Sequence, residues 1–171
     1  MVHGDETWAL VASDSGGLFT PMQHGIQPLS PHTACARGWY TTYRADAALQ
    51  VTRVDLGLAG DQWQPPLLGG VAPFREFSVW VYDGLALPVP YTGRLLLGAD
   101  FLDEYVYMGF QAASVCARGL ELRCEEGRIV ERRDRSEDLR RLRTQGSSPH
   151  IVRRIWDTVM AFGGRYPRWP S

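Results

Sequence analysis

Apolar and polar side chains alternate along the middle of the chain with the period of two that a half-buried strand requires. Residues 49–56 show this alternation, and residues 39–44 are rich in the aromatic and β-branched side chains that strands favour. The residues between them, near Asp46, are expected to connect the two segments as a hairpin. The pattern therefore predicts an antiparallel pair of strands in this region.

A second hairpin is predicted further along the chain. Apolar and charged residues alternate over 120–124, which places Leu122 on the inner side and Glu121 on the outer side of a strand. Residues 125–127, Glu-Glu-Gly, favour a turn, and the charged segment 128–133 then returns as the partner strand.

Shorter and less regular segments surround these hairpins. Strands are predicted at residues 8–11, 77–82 and 93–97, and a long loop at residues 57–73, where prolines and glycines occur in pairs. Asp83-Gly84 predicts a turn that ends the preceding strand. Residues 87–90 contain two prolines and are expected to lie extended at a sheet edge, whereas residues 105–110 fit a strand and a helix equally.

The last third of the chain carries the helix signals. Asp134 and Glu137 have the spacing of a capping box ahead of a segment in which acidic residues come first and arginines last. Ser148-Pro149 fits the start of a second helix, whose apolar face is formed by Ile151, Ile155, Val159 and Phe162. We expect this face to pack on the sheet, with binding of another protein as the alternative.

Together these elements predict one α+β domain, a mostly antiparallel, twisted sheet with two C-terminal helices, in which barrel-like closure of the sheet stays open. The predicted parts of the 171-residue chain are an irregular N-terminal segment (1–35), a sheet-rich core (36–133), two helices (134–164) and a tail (165–171). A chain of this length with 44% hydrophobic residues can bury the core of one domain.

The chain contains no lysine, so its 18 strongly basic residues are all arginine. A Schiff base, a pyridoxal-phosphate site, a nucleotidyl-lysine intermediate and a phosphate loop with its lysine are therefore excluded. A GC-rich genome, which favours arginine codons, accounts for this composition better than selection for arginine does. No residue pattern indicates a cofactor.

Three features predict a cytoplasmic protein. The N-terminal residues are acidic where a secretory signal would be basic, and no apolar signal segment follows them. No stretch reaches the roughly 20 apolar residues that a membrane span needs. The three cysteines lack paired metal-ligand spacing and are interpreted as free, mostly buried thiols of a reducing compartment.

Asp100, Asp103 and Glu104 have the spacing that places carboxylates on one face of a helix. Such a cluster is suited to a divalent cation or to an acid/base pair. The simpler interpretation is that Asp100 caps a short helical turn and that the other two stabilise its N-terminal dipole. We favour this interpretation because no further ligands can be identified.

His32 and Cys35 lie close enough in sequence to act as a base and a nucleophile. A reactive thiol also needs a lowered pKa and an orienting third group, and the sequence reveals neither. One mixed pair is also too little for a tetrahedral zinc site. We therefore expect a loop histidine and a small buried thiol, without a metal.

Charge is divided unevenly along the chain, although the net charge is only −1. Residues 1–117 carry 5 arginines and 11 acidic residues, a balance of −6, whereas residues 118–171 carry 13 arginines and 8 acidic residues, a balance of +5. Phosphate contacts are conceivable, but the interleaved acidic residues favour a solvated, ion-paired helical surface. The candidate partner-binding residues in this part are Arg140, Arg141, Arg153, Arg154 and Trp156.

Several short segments form a recognisable series: residues 38–43, 92–97, 100–101, 105–110, 121–122 and 127–130. Over roughly residues 36–135 this series resembles a family of small bacterial proteins with no assigned activity. The resemblance implies that the segments belong to one sheet-rich domain. Tyr107 stands where the family pattern has histidine, so a role for that histidine does not carry over.

Three functions stay open from the residues alone. We favour a non-enzymatic bacterial protein-interaction module of accessory or immunity type, because no catalytic signature is present and the charge is divided. The alternatives are a small hydrolase that uses the acidic cluster or the Cys/His pair, and nucleic-acid binding through the arginine-rich third. The expected partner is another protein rather than a membrane, and no small-molecule ligand is indicated.

Overall fold

Strands dominate the part of the chain that the computed structural model describes, which is residues 1–30, 37–57, 64–102 and 115–144. In chain order the elements are β1 Val2–His3, β2 Glu6–Thr7, β3 Ala9–Ser13, a 3-10 helix Pro21–His24, β4 Trp39–Ala45, β5 Leu49–Leu56, β6 Phe74–Glu76, β7 Val79–Pro88, β8 Gly93–Phe101, β9 Cys116–Glu125, β10 Arg128–Asp134 and α1 Ser136–Thr144. The strand pairs are antiparallel, apart from a parallel contact between β1 and β4.

The strands form two hydrogen-bonded sheets. The larger sheet has the order β2-β1-β4-β5-β7-β6, and the smaller sheet has the order β10-β9-β8-β3. One cluster of buried side chains joins them, from Val54 and Tyr82 of the larger sheet to Leu97 and Leu122 of the smaller. The core therefore lies between two layers, each of which hides one face.

A change of phase in β5 decides which of its residues face this core. Leu49, Val51, Val54 and Leu56 are buried. The inward-facing residues therefore have odd numbers before Thr52 and even numbers after it. The pairing with β4 shifts at this point, because Thr42 lies opposite Arg53 and Tyr43 lies opposite Val51. Thr52 is thus the extra residue of a β-bulge, which turns the following residues over and keeps both apolar pairs inside.

The turn between β9 and β10 joins the two sheets at one corner. The Leu49 N–H donates to the Gly127 carbonyl at 2.7 Å, and the Gly127 N–H donates to the Tyr91 carbonyl at 2.8 Å. Gly127 has a φ of +78°, and a Cβ atom there would lie inside contact distance of the Val89 carbonyl oxygen. Only glycine combines this conformation with so close an approach.

Helix α1 begins two residues after Asp134, close to its predicted start, and is described as far as Thr144. The Ser136 N–H donates to Asp134 Oδ1 at 2.7 Å, which satisfies one of the free donors at the helix start. Glu137 and Asp138 lie in the first turn, and Arg141 and Arg143 lie in the last turn, in agreement with the helix dipole.

Helix α1 covers the outer face of the smaller sheet. Leu139 is buried against Gly119, where a Cβ atom would lie only 2.6 Å from the Leu139 Cδ1 atom. Arg135 Nη2 lies 2.9 Å from Glu121 Oε2, and Glu121 is only 6% exposed. Glu121 therefore points away from Leu122 as predicted, yet it is buried because the helix covers it.

The α+β class and the mostly antiparallel pairing are confirmed, but the sheet is not a closed barrel. The described strands form two separate sheets. The smaller sheet is open, because its two terminal strands, β3 and β10, do not pair with each other. Of the two predicted helices, α1 is present, whereas residues 148–164 lie outside the described residues. No helix within the described ranges is long and apolar enough to cross a membrane.

The prediction that Asp83-Gly84 ends a strand is wrong. Strand β7 continues to Pro88, and the residues Gly84 to Ala86 face the single residue Thr52 of β5. Gly84, with a φ of +70°, bends the strand instead of reversing it. Because β6 pairs only with the first residues of β7, Pro88 lies at an edge of the described sheet, as its missing N–H requires.

The N-terminal segment is also more ordered than its irregular pattern indicates. It contains β1, β2 and β3, and β3 pairs with β8 in the smaller sheet. These strands are two to five residues long, too short for a period of two to stand out in the sequence.

Gly127→Ala is expected to lower the free energy of unfolding by about 3 kcal/mol, because left-handed strain adds to a collision with the Val89 backbone. Gly84→Ala is the matched control, since Gly84 also has a positive φ but has open space around its Cβ position. It should cost about 1 kcal/mol. Urea unfolding followed by circular dichroism measures both values, and equal losses would contradict a tight corner at Gly127.

Candidate protein-binding surface

Asp100 is the described member of the acidic trio, and it lies on a strand rather than at a helical turn. It is the penultimate residue of β8 and has a φ of +54°, which is unusual for a residue other than glycine. Asp100 Oδ2 lies 2.6 Å from Arg118 Nε on the neighbouring strand β9. Asp103 and Glu104 lie outside the described residues, so their clustering with Asp100 stays untested.

Arg118 binds a second carboxylate on its other side. Its Nη1 atom lies 3.0 Å from Glu6 Oε1, and its guanidinium carbon lies 4.8 Å from the centre of the Trp8 ring. The hydrogen bond to Asp100, followed by the one to Glu6, raises the pKa of Arg118. Arg118 thus bridges a carboxylate of β2 and a carboxylate of β8 in an exposed ion-pair cluster.

The other catalytic candidates gain no support. His32 and Cys35 lie outside the described residues. Cys116 and Cys124 are buried, and burial raises the pKa of both thiols, that of Cys124 to about 11. Such thiols stay protonated and weakly nucleophilic at neutral pH. No group of three potential metal ligands occurs within the described part of the chain.

The described arginines of the C-terminal third are largely engaged in ion pairs. Arg140 Nε and Arg141 Nε lie 2.7 and 3.1 Å from the carboxylate of Glu137. The hydrogen bond from Arg140, helped by that from Arg141, lowers the pKa of Glu137 to about 2. Arg153, Arg154 and Trp156 lie outside the described residues. The ion-paired surface that the interleaved charges predict is thus present on α1.

Aromatic side chains gather at one end of the larger sheet. Trp39 of β4 and Trp80 of β7 both lie opposite Leu56 of β5, so the two indoles flank one leucine on the inner face. Arg37 lies over the Trp39 ring at 5.5 Å, and Arg75 lies over the Trp80 ring at 6.0 Å. Each indole thus carries a cation on its face.

The adjoining residues form a matching row on the outer face. Tyr40 lies opposite Asp55, Asp55 lies opposite Val81, and Val81 lies opposite Phe74 of the edge strand β6. Tyr40 and Phe74 are exposed, although both carry large apolar rings. Leu29 is also exposed. Its N–H donates to the carbonyl of Gly57, which directly follows β5, and this hydrogen bond places Leu29 at the same end of the sheet.

Phe77 occupies the tip of the hairpin that joins β6 to β7. Glu76 pairs with Val79, so Phe77 and Ser78 form a two-residue loop. Phe77 is 95% exposed and has a φ of +51°. Loops of this kind favour glycine or asparagine at positions with positive φ, so a bulky aromatic residue is unfavourable both for the backbone and for hydration.

We call this region the aromatic end; its exposed members are Leu29, Tyr40, Phe74 and Phe77, while Trp39 and Trp80 lie on the inner face, partly buried against the core. Tryptophan, tyrosine, phenylalanine and arginine are enriched in the energetically important parts of protein interfaces. This region cannot be predicted from the sequence, because its aromatic residues come from two stretches, 39–40 and 74–80, that strand pairing brings together. The predicted strand over residues 77–82 is wrong at its start, because Phe77 and Ser78 form the hairpin loop and β7 begins at Val79.

A half-buried carboxylate joins β3 to the start of β8 in the smaller sheet. Asp14, just beyond β3, accepts hydrogen bonds on Oδ1 from the Arg94 N–H at 2.7 Å and from the Tyr91 hydroxyl at 2.9 Å. Its Oδ2 atom lies 3.2 Å from Arg94 Nε. Burial opposes ionisation of Asp14, but these hydrogen bonds outweigh it and lower its pKa. A low-pKa carboxylate with all its partners in place serves as a structural tie.

Comparison of the chain with family models, curated proteins and solved structures found no match in any of the three. The resemblance seen over residues 36–135 therefore rests on its sequence segments alone.

Asp14→Asn is expected to lower the free energy of unfolding at pH 7 by about 2 kcal/mol, because the amide cannot pair with Arg94 or accept as strongly from its N–H. The folded-state pKa of Asp14 lies below its unfolded value, so its contribution is present above the unfolded pKa and is lost as the pH falls. The variant should therefore lose less stability than the wild type between pH 5 and about pH 2.

The control is Asp5→Asn, which removes one carboxylate from an exposed turn. Urea unfolding at a series of pH values compares the three proteins. A pH dependence of Asp14→Asn that equals those of Asp5→Asn and the wild type would contradict the role of Asp14.

Proposed function

We propose that the protein is a non-enzymatic interaction module of the bacterial cytoplasm, of accessory or immunity type, which binds another protein through its aromatic end. The observation that carries this proposal is Phe77, a fully exposed aromatic ring on a hairpin tip with left-handed backbone geometry. Strain at a surface residue is a reason to look for function, because nothing in the fold itself benefits from it.

The energetics of Phe77 favour a bound state. A non-glycine residue in the left-handed region costs about 1 kcal/mol, which the folded protein carries whether or not a partner is present. Burial of the phenylalanine side chain in a partner's apolar cavity would return about 2–3 kcal/mol. The short hairpin already fixes the backbone of Phe77, so the ordering cost on binding comes mainly from the side chain itself.

The rest of the aromatic end supports Phe77 as an anchor. Trp80 follows the hairpin and carries Arg75 on its ring, while Phe74 lies on the facing strand. Aromatic and arginine side chains are enriched in the energetically important parts of interfaces, and both occur on the two strands that the hairpin joins. The partner surface that fits is a concave apolar cavity with acceptors at its rim for the two guanidinium groups, because arginine donates but does not accept.

Phe77→Asn is expected to leave the free energy of unfolding unchanged or to raise it by up to about 1 kcal/mol, since asparagine tolerates left-handed geometry. The same substitution should weaken partner binding at least tenfold, because it removes the anchor. The measurement is affinity capture with the tagged full-length chain, followed by calorimetric titration of the purified partner with both proteins.

Leu67→Asn is the matched control, because Leu67 is also a large exposed apolar residue, at 65%, but lies in the loop between β5 and β6. It should bind the partner with wild-type affinity. A wild-type chain that captures no partner, or a Phe77→Asn chain that binds as tightly as the wild type, would overturn the proposal.

A further inference from the structure

Strand β3 ends the smaller sheet, and its outer edge pairs with no other described strand. Terminal strands leave backbone donors and acceptors available, so proteins usually protect them with charged side chains. The other terminal strands of the described sheets follow this rule, since β2 contains Glu6, β6 contains Arg75 and Glu76, and β10 is mostly charged.

Strand β3 does not follow the rule. Its sequence is Ala-Leu-Val-Ala-Ser, without a charge, and Leu10 is 39% exposed although it lies opposite the buried Leu97 on the inner side. On the outer side, Val11 and Ala12 are half-buried and continue the apolar cluster beneath Leu142 of α1. An apolar strand edge with apolar surface on both sides is complementary to a second strand of the same kind.

We infer that β3 pairs antiparallel with β3 of a second copy of this chain, around a two-fold axis, so that two four-stranded sheets become one. Two-fold pairing places each residue opposite its own counterpart or a near neighbour. In β3 no such pairing brings like charges together, whereas self-pairing of β10 about Arg132 or Arg133 opposes arginine to arginine. Charge thus favours β3 over β10 as the dimer edge.

The expected dimer is weak. Strand β3 has five residues, and a bulge interrupts its regular register between Leu10 and Ala12. An interface of this length falls in the small class, below about 1,200 Å². We expect a dissociation constant on the order of 10 µM, within reach of reversible, concentration-dependent association.

Sedimentation velocity of the full chain between about 1 µM and 1 mM tests the dimer, with Leu10→Lys as the disruptive variant. An inward-pointing charge on an edge strand is a device that natural sheets use against pairing, and the exposure of Leu10 leaves room for the ammonium group. The dissociation constant should rise at least tenfold. Val130→Lys is the matched control on the opposite edge, where Val130 is 43% exposed, and should dimerise as the wild type does.

Amide hydrogen exchange of the wild type provides a readout that needs no variant. Amides of residues 9–13 should exchange more slowly at high than at low protein concentration, while those of β10 should not change. A wild type that stays monomeric to about 1 mM, a Leu10→Lys chain that is folded by circular dichroism and still dimerises with wild-type affinity, or protection confined to β10 would each overturn the inference.

The dimer is independent of the proposed partner site. Phe77→Asn should leave self-association unchanged, and Leu10→Lys should leave partner binding unchanged, because the two surfaces lie on different sheets. Failure of one result therefore does not decide the other.

Discussion

The corner at Gly127 is the constraint on which the two-layer arrangement depends. Its carbonyl accepts from the larger sheet at Leu49, and its N–H donates to Tyr91 just ahead of β8. The backbone of Val89 lies so close that a side chain at Gly127 has no room. A Cβ atom at Gly127 would therefore strain the point where the two sheets meet, beside the buried cluster that runs from Val54 to Leu122.

Residues with positive φ differ in how well their side chains suit that backbone conformation. Gly84 and Gly127 take positive φ values that glycine tolerates, and Glu126 does so in the turn beside Gly127. Phe77 combines the same geometry with a ring in water, where neither the backbone nor the side chain gains from folding. This contrast supports an interaction surface. Phe77 stabilises no internal contact, so its exposed ring is useful only if a partner buries it.

The elements with strong local patterns could be predicted from the sequence. Strand β5 matches its predicted range, the β9–β10 hairpin turns where Glu-Glu-Gly predicts, and α1 begins at the cap that Asp134 supplies. The failures share one cause, which is that the deciding contacts are non-local. Asp83-Gly84 has the residues of a turn, yet pairing with β5 makes it a bulge, and the short strands β1 and β2 exist because they pair with each other and β1 pairs with β4.

By itself the sequence determined that lysine-dependent catalysis is excluded. It also determined the elements whose alternating or helical pattern extends over enough residues to be unambiguous. The missing lysine closes all lysine-based catalysis regardless of fold, because no arrangement in space can supply an absent side chain. Only the tertiary structure decided which residues act together. Burial of Glu121 depends on the helix above it, and the aromatic end joins segments from Leu29 to Trp80, since strand pairing rather than sequence distance sets what lies adjacent.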